Sequence, residues 1–594
     1  MKKTLAIVLV VVFVLALFAA CGNTPAPAPT SQTPTAAPTT PDTPDTPDTP
    51  DTPDTPDTPD TPENQLPFAV DEKGIATEPY EWPLPLTEDS DTVLTYWLTN
   101  YSMQYIPNGM EYTDTELPVA VKNLTGVNVE YILLPPQSRA ENFSILLAAD
   151  NLCDMMSNAS MYYPGPLTQM FSEGYAENIY DHKELMPNYL YQAKYAYPDD
   201  TATYESVFYA EDFVPFAAFL SQNAYKYTMG YCIRQDFLDK VGMKAEDIVT
   251  WDDLETAFKA IKTEIDTVEF PMWVAGTLES TGYWQFACSF DTTSQIVSIS
   301  LPPAFVKDGK VQLGCVAEGD KGLLEKLNSF YTQGLINPDW QAYIYAALFS
   351  ARTYNNEVAY QTMSASSIAE ANASTADPNC NWVPIMKPLQ TKDQVLHIGN
   401  AGARTSAGNL AFACKNHDLE LCMKWVDFHD APNGWELFSY GPEGLVCEKV
   451  DGKWRNTDWA LNNPDGIPFS GLMAVYTVGS LVEAGMAAFD VSMLNDSSEM
   501  AYYAIDAWTS WMDTHYDKAY LYPTGARLSE EQDEELGKYQ GDVITYIVEN
   551  YSAFIVGNKP LSEFDAYIAQ ANTLGLQEIL AVYQECYDDY LASK

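Results

Sequence analysis

An unbroken apolar run over residues 5–18 opens the chain behind Lys2 and Lys3, and the small residues Ala19 and Ala20 close it. That run is shorter than the ~20 residues a membrane-spanning helix needs, so residues 1–20 read as a removable secretory signal. No later stretch approaches that length, and nothing else is expected to cross a bilayer. Over residues 22–63 large apolar positions almost vanish: the sequence is nearly all Pro, Thr, Ala and Asp, with tandem Asp-Thr-Pro units from 42 to 62. Such a segment has little to bury and lacks a backbone donor at every third residue. It is expected to be a disordered, extended tether reaching on the order of 100 Å at ~3.1 Å per residue.

Periodic patterning resumes after the tether. The run V-L-T-Y-W-L at Val93–Leu98 predicts a buried strand, followed by a helix over 116–124, an alternating strand over 127–133, a helix over 142–149 and a short strand over 153–156. Strands alternating with helices predict parallel α/β units. Thr250 and Asp253 form a capping box, and Leu254, Phe258, Ile261 and Ile265 then share one helical face. Asp308-Gly309 supplies the two positive-φ positions of a type I′ hairpin within 305–313. Ser529 and Gln532 form a second capping box, and Ser562 is expected to cap a helix through Phe564, Tyr567 and Ile568 that ends at Gly575. A last helix carries Leu580, Tyr583, Tyr587 and Leu591. The chain reads as α/β first and predominantly helical afterwards.

Charge narrows the partners. Lys plus Arg number 31 against 82 Asp plus Glu, a net charge of −51, so nucleic acid and anionic membrane surfaces are poor partners. A neutral or cationic solute fits better, and an acidic, merely solubilising surface is the plainer reading of the same numbers. With 39 Tyr and 13 Trp, the chain is rich in flat apolar faces that carry a polar handle, which suits stacking on sugar rings. Nine cysteines follow Cys21, scattered singly with no C-x-x-C, which predicts buried thiols rather than a disulfide framework. His182, His397, His417, His429 and His515 lie too far apart in sequence to suggest metal ligands. No H-E-x-x-H, phosphate-binding loop, G-x-S-x-G or G-x-G-x-x-G occurs. The chain is therefore not expected to be an enzyme, and neither a cofactor nor a catalytic residue is nominated.

Several segments together resemble a known family. They are T-G-V-N-V-E at 125–130, L-L-A-A-D-N-L at 146–152 before Asp154, and I-R-Q-D-F-L-D-K-V-G at 233–242 leading into T-W-D-D-L at 250–254. Next come K-W-V-D-F at 424–428 before Y-G-P-E-G at 440–444, then F-I-V-G-N-K-P-L at 554–561, and finally G-L at 575–576 and Y-Q-E-C-Y at 583–587. In this order they resemble the extracellular solute-binding proteins (family 1) of carbohydrate ABC transporters, in their LplA/LipO-like lipoprotein group. The resemblance implies a two-lobed periplasmic-binding-protein-like (type II) α/β fold with a helix-rich C-terminal part. Lobe 1 would comprise 64–222 plus about 380–415, and lobe 2 about 223–379 plus 416–594. It also implies an oligosaccharide held between the lobes and delivered to permease and ATPase subunits by a monomeric receptor. A peptide or other solute, or a wall-anchored glycan-processing enzyme, are the alternatives. F-A-A-C at 18–21 resembles a lipobox, with Phe18 where Leu is usual. This implies lipidation of Cys21 and residence on the outer face of the membrane, attached by that lipid alone. Relatives often carry a calcium loop after the helix corresponding to 254–265. Here the run E-I-D-T-V-E-F at 264–270 lacks the glycine such a loop needs, and no metal is expected.

Sugar recognition calls for an aromatic platform with polar groups on its rim, and in open α/β sheets these gather at the ends of strands. That selects Trp97, Asn100 and Tyr101 after the first strand, Asn158 after the strand near Asp154, and Tyr225 near the first crossover. Trp273, Tyr283 and Trp284 follow near Pro271, and Asn400 and Arg404 lie in a Gly-rich return segment. Trp273 and Trp284 are the favoured platforms, whereas Trp508 and Trp511, at i and i+3, read as a packed stripe.

Overall fold

The computed structural model describes residues 66–98, 103–135, 138–165, 167–210, 212–215, 217–220, 229–274, 284–294, 301–340, 352–374, 377–398, 405–407, 410–412, 418–465, 467, 469–477, 486–487 and 499–594. The signal, Cys21 and the tether therefore lie outside the described residues. No described helix is long and apolar enough to cross a membrane.

The first lobe is built on the strand Val93–Leu98, whose residues from Tyr96 onward are buried on both faces. It pairs in parallel with Asn128–Leu133 and with Met155–Ser157, and Leu410–Phe412 closes the far side antiparallel to Met155–Ser157. The helix Glu116–Thr125 connects the first two strands and stops at Gly126, whose φ of 75° supplies the left-handed turn back into the sheet. Leu117 and Val121 of that helix pack with Leu94, Tyr96, Val129 and Met155 in one core. These elements follow the expected order, and the short strand begins two residues later than its pattern suggested.

The second lobe differs in kind. Its sheet has Met229–Arg234 at the centre with Tyr360–Ser364 and Trp382–Ile385 on either side, both antiparallel to it. Trp251–Glu264 covers this sheet. Thr250 and Asp253 make the expected reciprocal capping box, and Leu254, Phe258, Ile261 and Ile265 are all buried. The hairpin of Ala304–Lys307 and Lys310–Leu313 turns through Asp308 and Gly309 at φ 53° and 74°, as the sequence predicts. Gly230 sits where the central strand meets the indole of Trp508, which donates to the Tyr231 carbonyl at 3.3 Å. A Cβ at Gly230 would lie inside van der Waals contact with that ring. Gly230→Val is expected to lower stability by about 1–3 kcal/mol, read as the midpoint of urea unfolding.

One expectation near the C-terminus needs correction, and the last helix forms as expected with a different face buried. Ser562 does not cap the helix Phe564–Thr573. A 3-10 turn over Leu561–Glu563 precedes it, and Glu563 occupies the N-cap position without a side-chain bond. In the helix Leu576–Ala592 the buried stripe is Ile579, Val582 and Cys586, while Leu580, Tyr583 and Tyr587 are half-buried and Leu591 is 51% exposed. Shifting the stripe by one residue turns the helix about 100°. The hairpin strand and the helix Glu530–Gly537, both packed on it, set that rotation.

The lobe boundaries also fall later than expected. Trp382–Ile385 still belongs to the second sheet. The chain returns to the first lobe with Leu410–Phe412, and the helix Leu419–Asp427 buries Leu421, Trp425 and Val426 in that lobe's core. A satellite cluster carries the first lobe on to Tyr476, where Tyr440 and Leu472 pack with Tyr105. A residue run that packs against either sheet has the same hydrophobic pattern, so the pattern does not reveal which lobe it joins.

The segment leading into the first strand is strapped down. Trp82 donates its indole N–H to Asp427 Oδ2 at 2.8 Å, and Asn433 donates to the Trp82 carbonyl at 2.8 Å. Upstream, Asp71 accepts from Lys194 at 2.7 Å and from Tyr195 at 2.6 Å.

Candidate functional site

Three short strands lie between the two lobes in sequence, and they pair with one another. Ala217–Leu220 leads from the first lobe into Met229–Arg234, Thr405–Ala407 leads from the second lobe back to Leu410–Phe412, and Met486–Ala487 follows Tyr476 before the final helices. They form one sheet, with Ala217–Leu220 central, antiparallel to Thr405–Ala407 and parallel to Met486–Ala487. The three crossings are thus drawn into one small sheet between two separately cored lobes.

The parallel strands of the first lobe aim their carboxyl ends, Leu98, Leu133 and Ser157, at one edge. Asp154 fixes two of them relative to each other. Its carboxylate accepts from the backbone N–H and the hydroxyl of Thr95, each at 2.7 Å. Asn158 follows Ser157 with φ 56° and opens the helix Ala159–Tyr162. Trp97 pairs with Met156, two positions before Asn158. Trp97 is only 1% exposed. Its indole donates to Asn142 Oδ1 at 2.9 Å, and Phe143 and Tyr162 stand edge-on to its ring at 6.2 and 5.4 Å. Its faces are taken up by protein, because it points down from a central strand into a lobe core.

Trp273 is likewise taken up, at 5% exposure in the second lobe, with the Arg352 guanidinium 3.7 Å above its ring and Phe270 at 5.7 Å. Trp284 begins a short helix, Trp284–Ala287, and its side chain lies outside the described residues. Asn100, Tyr101, Tyr225, Tyr283, Asn400 and Arg404 also lie outside them. Trp508 is buried and Trp511 half-buried against the same cluster, as the stripe reading expects.

Sequence patterns did not single out Met161, 71% exposed just past Ser157, or Met229, exposed where the second sheet receives the first crossing. Exposed methionines at the edges from which crossings depart offer adaptable apolar contact. An apolar residue in a helix or strand normally reads as core, which hides such positions.

The perturbed acids serve structure. Burial pushes Asp427 up to about 7 and Asp320 up to about 6, against hydrogen-bond donors that pull each down. Asp320 accepts from Thr292 at 2.9 Å and Tyr551 at 2.8 Å, and also from Ser294. His429 is buried between Trp425 and Phe438, and desolvation pulls it down to about 3. Among the described residues no three His, Cys, Asp or Glu side chains are grouped to hold a metal. After Glu264 the backbone carbonyls of Glu269 and Gly334 face the Lys262 ammonium, at 2.9 and 2.5 Å. Among the described residues eight cysteines stand as free thiols, all but Cys380 buried.

No family model matches the chain. A fructooligosaccharide ABC transporter substrate-binding protein of Streptococcus pneumoniae is 22% identical over 383 residues, covering 61% of this chain and 66%, just under two thirds, of that protein. An HMO-binding, ABC-transporter-associated solute-binding protein of Bifidobacterium longum infantis superposes with a TM-score of 0.65 at 15% identity, over 84% of this chain and 99% of that one. The alginate-binding protein AlgQ2 superposes at 0.62 and 18% identity, over 85% and 99%. The fold is that of the two-lobed solute-binding proteins, and the sequence relative, like the family the segments resemble, is a carbohydrate ABC transporter substrate-binding protein.

Proposed function

We propose that this chain is the substrate-binding component of an ABC importer, taking an oligosaccharide into the cleft between its lobes and presenting it to membrane permease subunits. The observation that carries this reading is the sheet formed by the three crossings, because a hinge of short paired strands lets two rigid lobes close on a ligand. Relatives that bind fructooligosaccharide, HMO and alginate support a carbohydrate as cargo. Asn158, Met161 and Met229, at the strand ends beside the crossings, are proposed to contact it. Trp97 and Trp273 are proposed to shape the walls from behind, Trp273 through Arg352. The remaining candidates, Asn100, Tyr101, Tyr225, Tyr283, Trp284, Asn400 and Arg404, are proposed to complete the rim.

The sequence features outside the described residues fit the same role. Lipidation of Cys21 would hold the protein at the outer face of the membrane, and the tether would let the receptor reach a permease as a monomer. The test is a calorimetric screen of neutral and acidic oligosaccharides, with dipeptides and tripeptides as controls. Binding of one glycan class with a negative heat-capacity change, and no glycan cleavage on prolonged incubation, is expected. Binding of peptides alone, or release of shorter sugars, would defeat this reading.

A further inference from the structure

Beside the crossings, the lobes meet at a second place. The helix Thr201–Val207 belongs to the first lobe, with Val207 in its core, and Asp200 caps it by accepting the Thr203 N–H at 3.1 Å. The chain then runs through Val214 into the linking strand Ala217–Leu220, and the helix itself packs against the linking strand Thr405–Ala407. Arg527 of the second lobe gathers the carbonyls at the end of this helix. Its Nη2 donates to Glu205 at 2.5 Å and Ser206 at 3.0 Å, and its Nη1 to Phe208 at 3.4 Å. The guanidinium also lies 3.8 Å over the Tyr209 ring. A helix C-terminus carries partial negative charge, so a cation placed there is favourable.

Glu205 reaches the other way. Its carboxylate accepts from the Tyr590 hydroxyl at 2.7 Å, the Lys594 ammonium at 2.5 Å and the Gly525 N–H at 3.2 Å, all in the second lobe. The Lys594 and Tyr590 hydrogen bonds outweigh burial and lower its carboxyl below the usual carboxylate range. Tyr590 lies on the helix Leu576–Ala592, whose Leu576, Ile579 and Val582 are core residues of the second lobe. An acid of one lobe and a base of the other thus cross the same boundary in opposite directions. The linking strands they stand beside are only 4, 3 and 2 residues long.

We propose that Glu205 and Arg527 form a brace on the hinge side, positioning residues that fix the angle at which the lobes meet and thereby set affinity for whatever the cleft holds. Short linking strands leave rotational freedom that a ligand must otherwise remove on binding, and a brace removes part of it beforehand. The affinity half of this proposal rests on the function proposed above. The angular half does not.

The test uses the full chain carrying Arg527→Met, Glu205→Gln or both. Hydrogen exchange in the ligand-free protein is expected to speed about tenfold in Arg527→Met, in 201–215 and also in the linking strands 217–220 and 405–407. The central strand 229–234 should keep its protection, and X-ray scattering should show a broader spread of interlobe distances. Glu205→Gln keeps its shape and should give a smaller change of the same kind, which preserves the test if Arg527→Met does not fold. With kestose and an alginate trisaccharide as probes, Kd for whichever binds should rise about tenfold in Arg527→Met. Faster exchange confined to 201–208, with scattering and the linking strands unchanged, would reduce the cluster to a local helix cap and overturn the brace. Looser lobes with an unaltered Kd would overturn the affinity half and leave the angular half standing. If neither probe binds the wild-type protein, the oligosaccharide reading is what suffers, and exchange with scattering still decides the brace.

Discussion

Arg234→Met is expected to destabilise the protein by about 3–5 kcal/mol, enough to consume much of the margin of an ordinary domain. Arg234 is fully buried at the end of the central strand of the second sheet. Its guanidinium makes a bidentate pair with Asp236, both contacts at 2.7 Å, and a third bond to Asn356 Oδ1 at 2.6 Å. Phe237 lies 3.9 Å beneath its plane, and Asp377 stands at 3.8 Å. Methionine fills much of the volume and leaves the Asp236 carboxylate buried without its counter-charge, which is the costly half of breaking such a pair. Removing both charges, in Arg234→Met/Asp236→Leu, should recover most of the loss. Urea unfolding of the two variants side by side measures the difference, and equal destabilisation would show that shape rather than charge governs the site.

Asp427→Ala is the second large effect, expected at about 3–5 kcal/mol, because it strands three donors in the core of the first lobe. Trp82 Nε1, Asn188 Nδ2 and the Tyr189 backbone N–H all donate to its carboxylate, each at 2.8 Å. A pH signature accompanies it. Burial raises Asp427 to about 7 in the folded protein, whereas an unfolded aspartate titrates near ~3.9. The folded state therefore binds the extra proton between those values. Its contribution to stability is complete below about pH 4 and is lost as pH rises through about 7. The melting temperature should accordingly fall from pH 5 to pH 8. Asp427→Asn should flatten that fall, leaving a smaller decline between pH 4 and 6 from Asp320, which burial raises to about 6. A melting temperature that rises across this range in the wild-type protein would mean that the three donors keep Asp427 ionised.

Local features were legible where a few neighbouring residues settle the geometry. Thr250 with Asp253, and Asp308 with Gly309, specify a cap and a turn without reference to the rest of the chain. The strand Val93–Leu98 was legible because both faces of its second half are buried. What resisted reading depends on residues far apart. Leu419–Asp427 has the same amphipathic pattern whichever sheet it covers, so its place in the first lobe could not be read. Asp427 meets Trp82 across 345 residues, and Arg527 meets Glu205 across 322. No spacing rule reaches so far. The candidate site shows the same divide: strand ends could be located, but whether Trp97 faced a cleft or a core depended on Asn142, Phe143 and Tyr162 arriving around it.

The strap at Trp82 has a mechanical consequence. Tension on the chain ahead of residue 66 enters the first lobe through this segment. Asp71, bound to Lys194 and Tyr195, meets the load first, and Trp82, bound to Asp427 and Asn433, meets it next. Both fastenings are side-chain clasps onto helices of the first lobe, so drag is spread into that lobe's core before it reaches the edge of the sheet. Load entering through this segment therefore passes into the first lobe before it can reach the crossings.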